Sequence, residues 1–459
     1  MTARVVQARS RWRIAAVAVL CLVAGTVAAS GALRPTTAEW TDPVYAGGDV
    51  VIGRWSTPVD AISAGGNYTC LLVEGQAWCS GESSSSVPKT GQTMNTNTMT
   101  LVDPGARGPT AIEQIDTGLG QTCVVAGGAA YCWGGGSLGN FDSTMPWEAP
   151  GSIDPVPVYA GDDDGETWGY RSPLFGQTVT RVVTGDQSGC AVMATGRAAC
   201  WGLNTLLTRP PEDSNPLHWP AAPILVPTTA EDPASQLPDG TRIAGITSDF
   251  RNSCALDTAG ALYCWGANSE EQLGLPAGEV WAPRALPRGA SAGTGPITYA
   301  AMGTFHMCFL SDGVAYCLGL RAEGALGDGS QFESATEPVA VDATGVLVGV
   351  TLTQIVAGDS FTCALSDDGH AFCWGRNDGG QLGNNTTTNA SVPVAVDMSV
   401  LPVGVTFTHI DAGTTHVCAR GSDMKVYCWG TGASGEQATG AFTEPILRPL
   451  TPMTDTWTG

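Results

Sequence analysis

The stretch Ile355 to Gly383, IVAGDSFTCALSDDGHAFCWGRNDGGQLG, opens on an apolar residue and reaches a glycine at 358. It then carries cysteines at 363 and 373, follows the second with Trp374-Gly375 and closes on Gln381-Leu382-Gly383. That order recurs seven times. The cysteines fall into seven pairs: Cys70 with Cys79, Cys123 with Cys132, Cys190 with Cys200, Cys254 with Cys264, Cys308 with Cys317, Cys363 with Cys373 and Cys418 with Cys428. Together with Cys21 these make up all fifteen. Five residues before each first cysteine stands Gly65, Gly118, Gly185, Gly303, Gly358 or Gly413, with Asp249 the exception. Three residues earlier again comes Ile62, Ile115, Val182, Ile246, Ile355 or Ile410, with Ala300 the weak copy. First cysteines are spaced 53, 67, 64, 54, 55 and 55 residues apart, a period in the range of propeller blades.

The spacing within each pair carries geometry. Pairs nine apart have two midpoint residues, Glu74-Gly75, Gly127-Gly128 and Asp312-Gly313, suited to a two-residue hairpin turn with positive φ. Pairs ten apart have three, Ala194-Thr195-Gly196, Thr258-Ala259-Gly260 and Asp367-Asp368-Gly369. Glycine comes third, as a type I turn with a bulge requires. The extra residue is absorbed in the turn, so the cysteines stay opposite on neighbouring antiparallel strands and close enough to bridge. Copy seven has Ser422-Asp423-Met424 there and lacks the glycine. One disulfide per hairpin is expected; the alternatives are buried thiols and a zinc site, and no copy shows the Cys-x2-4-Cys spacing usual for zinc.

The pattern apolar-x-x-Gly, then Cys-Ala-Leu, Trp-Gly-x-Asn and Gln-Leu-Gly resembles the regulator of chromosome condensation repeat. Asn268, Gln272, Leu273 and Gly274 match it, as do Asn377, Gln381, Leu382 and Gly383, while copies one and seven lack the Gln-Leu-Gly end and copy five keeps Leu326-Gly327. The resemblance implies an all-β, seven-bladed β-propeller over residues 55–450, with about four antiparallel strands per blade. A recurring segment of proline with alternating apolar residues, at Pro157, Pro338, Pro393 and Pro445, supplies a fourth strand, because proline suits a strand start or outer edge. The last of these, near Pro445, has no later repeat to join and is expected to pack with the first blade and close the ring.

Forty-three acidic against twenty-one basic residues give a net charge of −22, which argues against nucleic acid as a partner. With 60 Gly, 29 Pro and 43% hydrophobic residues, the chain reads as a turn-rich β protein rather than a disordered one. Two lysines against nineteen arginines hint at a GC-rich, bacterial genome. Residues 1–33 read as a signal peptide or N-terminal membrane anchor: Arg4, Arg9, Arg11 and Arg13 precede an uncharged run from Ile14 to Leu33. Both readings place the body outside the cytoplasm, secreted or at the cell surface. Cys21 lies within that run and leaves an even set of fourteen, as disulfides in an exported chain require. Residues 34–54 form a lead-in and 451–459 a tail.

Three spans, 81–110, 140–175 and 204–238, exceed what the architecture needs. The second and third carry Trp147, Trp168, Tyr170 and Trp219, candidate binding residues on a partner-binding rim, since long loops on a rigid scaffold are where binding usually sits. Their alternative is solvated decoration with a few aromatics tucked onto the propeller. Asp162, Asp163 and Asp164 lack the alternating spacing of a calcium loop. His306 and His416 fall two residues before a first cysteine, where other copies have Tyr68, Gln121, Ser188, Asn252 and Phe361, and a position that varies so is structural. His370 follows a hairpin turn, His409 precedes a core strand and His218 lies in an insertion. No nucleophile elbow, His-Glu-x-x-His pair or phosphate-binding glycine loop is present, and no catalytic residue, metal or cofactor is assigned.

The expected function is therefore a non-enzymatic, exported, monomeric scaffold that binds an extracellular or envelope protein or glycan. A secreted family member that inhibits β-lactamase makes an enzyme inhibitor one form of this. The family name implies guanine-nucleotide exchange and chromatin binding instead, which charge and export oppose. A propeller hydrolase or lyase would be marked by acids or histidines gathered at one mouth of the central channel.

Overall fold

The computed structural model describes residues 59–82, 95–105, 108–135, 138–139, 152–158, 172–202, 223–289, 292–438 and 443–450. Trp147, Trp168, Tyr170, Trp219, His218, Asp162 to Asp164 and residues 1–33, expected to be a signal peptide or membrane anchor, lie outside them.

In the repeat containing Ile355, four strands follow one another at Leu352–Ala357, Phe361–Ser366, Ala371–Gly375 and Ala390–Ala395, and they pair antiparallel in that order. The other six repeats do the same, giving seven four-stranded sheets, each of consecutive strands. We number the blades 1 to 7 over 59–101, 114–157, 179–225, 243–285, 297–340, 352–395 and 407–446. Among the described residues the only helical elements are two short 3-10 turns, Ala322–Gly324 and Met398–Val400. First strands touch in cyclic order, and that of blade 7, Phe407–Ala412, returns to that of blade 1, Val59–Ala64, so the ring is closed.

Burial follows from this layout. A second strand such as Phe361–Ser366 is buried at every residue because a neighbouring blade covers each of its faces, so it reads as a continuous apolar run instead of alternating. The buried apolar residues form seven clusters, and each joins two adjacent blades. The core of this protein is thus its seven seams.

The hairpins form as their turns dictate. Glu74 and Gly75 have φ of 49° and 73°, and Asp312 and Gly313 have 54° and 75°. Gly196, Gly260 and Gly369 have φ of 82° to 83°. In every blade the paired cysteines face each other across the second and third strands and are bridged, with Cα atoms 4.0 to 4.1 Å apart. Cys70 is joined to Cys79, Cys123 to Cys132, Cys190 to Cys200 and Cys254 to Cys264. Cys308 is joined to Cys317, Cys363 to Cys373 and Cys418 to Cys428. The expected pairing is therefore the one the fold adopts, and neither free thiols nor a zinc set arises from these fourteen. Copy seven keeps the three-residue turn with Met424 at φ 74° in the glycine place. Its bonds, Gly421 N–H to the Lys425 carbonyl at 2.7 Å and Met424 N–H to the Gly421 carbonyl at 2.9 Å, repeat those of Ser366 and Gly369.

Two expectations change. The strand at Pro445, Thr443–Ile446, does not join blade 1; it is the outer strand of blade 7 and pairs with Val426–Gly432. Ile446 packs towards blade 6, in the cluster with Leu382 and Trp429. Because every repeat already holds its own fourth strand, the ring closes by packing of blade 7 on blade 1 and no strand is exchanged. The three long spans each contain a fourth strand too, Thr96–Leu101, Ser152–Pro157 and Ile224–Leu225. The first span is then ordinary: its connection 82–95 matches 376–389 of blade 6. Pro338 and Pro393 sit in outer strands where the ladder register shifts, so their missing N–H costs no bond.

Candidate functional site

The inner strands surround a channel with a cavity of about 190 Å³, lined in part by Asp116, Arg181, Thr247, Asp249, Tyr299 and Asp411. Two repeat positions on these strands stitch five of the seven blade seams. The side chain just after the core apolar residue accepts the neighbour's backbone N–H: Thr117 N–H to Ser63 Oγ at 3.0 Å, Thr184 N–H to Asp116 Oδ2 at 2.7 Å, Met302 N–H to Thr247 Oγ1 at 3.2 Å and Ala64 N–H to Asp411 Oδ2 at 2.8 Å. The residue just before it does likewise where it is glutamine, with Val182 N–H to Gln114 Oε1 at 2.7 Å and Ile410 N–H to Gln354 Oε1 at 3.1 Å. Asp116 and Asp411 thus serve the frame of the channel.

At the end where first strands turn into second strands, the repeat glycines form the mouth. Their φ is not positive; a close approach demands glycine. A Cβ on Gly65 would lie 2.5 Å from the Gly118 carbonyl oxygen, one on Gly303 2.5 Å from that of Gly358, and one on Gly358 2.7 Å from that of Gly413. Among these glycines Asp249 enters in place of one, and Asp186 and Asp359 directly follow Gly185 and Gly358. Asp249 and Asp359 line a smaller hollow of about 40 Å³ at the mouth, with Thr304 and Thr414.

Burial raises the Asp249 carboxyl to about 7, and repulsion from Asp186 and Asp359 adds to it, against bonds from the Phe250 backbone and Thr304. Burial likewise raises Asp411 to about 7, with repulsion from Asp116 working against the Ala64 N–H, and raises Asp186. The mouth therefore holds protons near neutrality that ordinary carboxyls have lost. Carboxyls of this kind can transfer protons or meet a cationic group. Among the described residues no histidine lines the channel cavity or the mouth hollow, and no three His, Cys, Asp or Glu side chains converge as metal ligands.

The histidines in the repeat position are buried links between blades. His306 Nε2 lies 2.8 Å from Thr362 Oγ1, and His416 Nε2 2.8 Å from Thr69 Oγ1. Tyr68 fills the same role with its hydroxyl, donated to the Gln121 carbonyl at 2.7 Å. Burial pushes His306 and His416 down to about 4, and His409, beside Arg420, also to about 4. His370 is exposed in its turn, with Nδ1 3.0 Å from Asp368. Sequence reasoning missed the acid ring, because its members occupy three different offsets in the repeat. The signal lay in the pattern itself: acids within two residues of the mouth glycine in five copies.

Seven contiguous sheets around a carboxylate-rimmed channel define a seven-bladed β-propeller with one cystine in each blade. The regulator of chromosome condensation (RCC1) repeat profile matches residues 259–310 and 368–420, and a second profile of that repeat matches 352–381. The Arabidopsis thaliana ultraviolet-B receptor UVR8 is 26% identical over 388 residues, 83% of this chain and 78% of the relative. The human probable E3 ubiquitin-protein ligase HERC6 is 32% identical over 196 residues, 42% of this chain but 18% of the relative. The match thus spans under a fifth of that ligase. Among solved structures, yeast Prp20p superposes with a TM-score of 0.64 at 20% identity, covering 83% of this chain and 86% of that one. Human WBSCR16 superposes with a TM-score of 0.61 at 18% identity, covering 79% and 87%. Residues 259–310 and 352–420 thus carry the regulator of chromosome condensation repeat.

Proposed function

We propose that this chain is a non-enzymatic binding scaffold, exported from the cytoplasm, which grips a protein or glycan partner with the channel-mouth end of the propeller; the acids gathered at that mouth, which would also mark a propeller hydrolase or lyase, are on this reading the rim that meets the partner. The observation that carries the reading is the acid mouth on a cystine-riveted ring. Asp186, Asp249 and Asp359 stand where second strands begin, and the connections 82–95, 135–151 and 203–223 depart from and return to the same end of the sheets. A fixed frame with an acidic, hydrogen-bonding rim suits recognition, because little order has to be imposed on binding. Seven cystines support export, since such bonds persist in oxidising compartments. Family precedent supports a protein partner: Prp20p was described with its binding to Gsp1p and histones, and was also solved bound to Kap60.

The test is affinity capture from the culture medium and envelope of the source organism with the cystine-intact chain, beside D186N/D249N/D359N and a form trimmed in 140–151 and 203–222. Loss of one captured species by either variant, at unchanged melting temperature, is the expected outcome. Equal capture by all three forms would refute a mouth-end site. Nucleotide exchange, named for the Bos taurus secretion-regulating guanine nucleotide exchange factor that is 31% identical over 201 residues, is tested separately by release of fluorescent GDP from a small GTPase.

A further inference from the structure

The seam between blades 7 and 1 differs from the other six. At those six the chain itself passes between the blades, through connections such as 341–351 and 396–406, so a parted seam stays tethered by a short loop. No such connection crosses from blade 7 to blade 1, and parting them releases both ends of the array at once.

Among the described residues this seam also holds the most buried polar atoms without partners. After the second cysteine, Trp374 and Trp429 send their indole N–H groups to the Ala325 and Gln381 carbonyls of the preceding blades, both at 2.9 Å, whereas those of Trp133, Trp201 and Trp265 are buried without partners. Blade 1 has Ser80 at this position, fully buried, with its Oγ unpartnered. The facing loop of blade 7 is altered too: where blade 6 has Leu382-Gly383, it has Gln437-Ala438, and Ala438 is held at φ 47°. Gln437 Oε1, Thr96 Oγ1, His409 Nδ1 and His416 Nδ1 add further buried atoms without partners in blades 7 and 1. Among the described residues no other seam gathers as many. Buried Arg420 reaches across to the Val59 and Asp60 carbonyls, at 3.4 and 3.3 Å. Buried polar groups without partners weaken the packing around them.

We propose that the blade 7 to blade 1 seam is a clasp, the place where the ring opens and recloses while the other six seams stay shut. Opening frees the edge of Val59–Ala64 and widens the channel beside Asp411. It stands independently of what the mouth binds.

Amide hydrogen exchange on the intact chain decides it without any substitution. Ala64 N–H, bonded to Asp411, and Thr184 N–H, bonded to Asp116, hold equivalent places at the clasp and at the blade 2 to blade 3 seam. Thr414 N–H, shared by the Gly65 and Gly66 carbonyls, is compared with Asp359 N–H on the Thr414 carbonyl at the blade 6 to blade 7 seam. The clasp amides should be less protected by about tenfold or more. In S80W/A438G, Ala64 should gain protection while Thr184 stays unchanged. Equal protection in the natural sequence, or a variant that raises both amides alike, would overturn the clasp; if the variant does not fold, the natural comparison still decides.

Discussion

At the scale of single residues, two kinds of glycine do different work. Gly369 supplies a positive φ of 82° in its hairpin, and Met424 occupies the same place at 74°. Left-handed backbone is costly for a side chain and free for glycine, so Met424→Gly should raise stability by roughly 0.5–1 kcal/mol, read as a higher denaturant midpoint. A drop would mean that the half-buried methionine packs better than its strain costs. Gly118 is the other kind: its backbone is ordinary, but an added Cβ would run into the Gly185 carbonyl of the next blade. Gly118→Ala should cost about 1–3 kcal/mol by overpacking, seen in the same measurement. The turn glycines were legible because their demand is local and fixed by the cysteine spacing. The mouth glycines stood out in the sequence only as a repeat. Their reason depends on a neighbour some sixty residues away in the chain, which no local pattern displays.

At the scale of elements, the cystine hairpin is the unit that propensity, turn chemistry and cross-strand distance all specify together. Each bridge closes a short loop, so removing one by the paired substitutions Cys363→Ala and Cys373→Ala should cost about 2–3 kcal/mol in the chain-entropy model. Chemical denaturation under non-reducing conditions gives the value; a negligible loss would show that packing of Phe361 and Trp374 alone holds the blade. The fourth strand was harder to place. Its proline marked an outer edge, yet a cyclic array has no natural first element, and the repeat pattern is equally consistent with a unit that begins on any strand. Pairing of Thr443–Ile446 with the third strand of its own blade is set by the short chain between them, which competes well against closure across the ring.

At the scale of the whole molecule, buried titratable groups oppose one another. Asp249, Asp411 and Glu436 are raised to about 7, so between about pH 4 and pH 7 the folded chain binds protons that the unfolded chain has released. Their contribution is therefore greatest in acid and is lost as pH rises to about 7. His306, His409 and His416 are lowered to about 4, and their contribution is lost as pH falls from 6.5 towards 4. Stability should vary little across that window and decline from 6.5 to about 7. In H306Q/H416Q, which keeps the blade contacts with a residue found at Gln121, the midpoint should fall steadily from about pH 4 to about 7. A flat profile in the variant would show that the mouth carboxyls are not protonated in the folded state. Net charge announced the acidity of this protein, but its concentration at one mouth required the ring, which gathers Asp186, Asp249 and Asp359 from three blades.

Each sheet is made from one uninterrupted stretch of chain, and this bears on how such a ring is inherited. A duplication or deletion with both ends in the connections between outer and inner strands adds or removes one finished blade, cystine included, and leaves no half-sheet behind. Copies can then diverge singly: Met424 in one turn, Asp249 in one mouth glycine and Ser80 in one indole place are changes that the other six never had to accommodate.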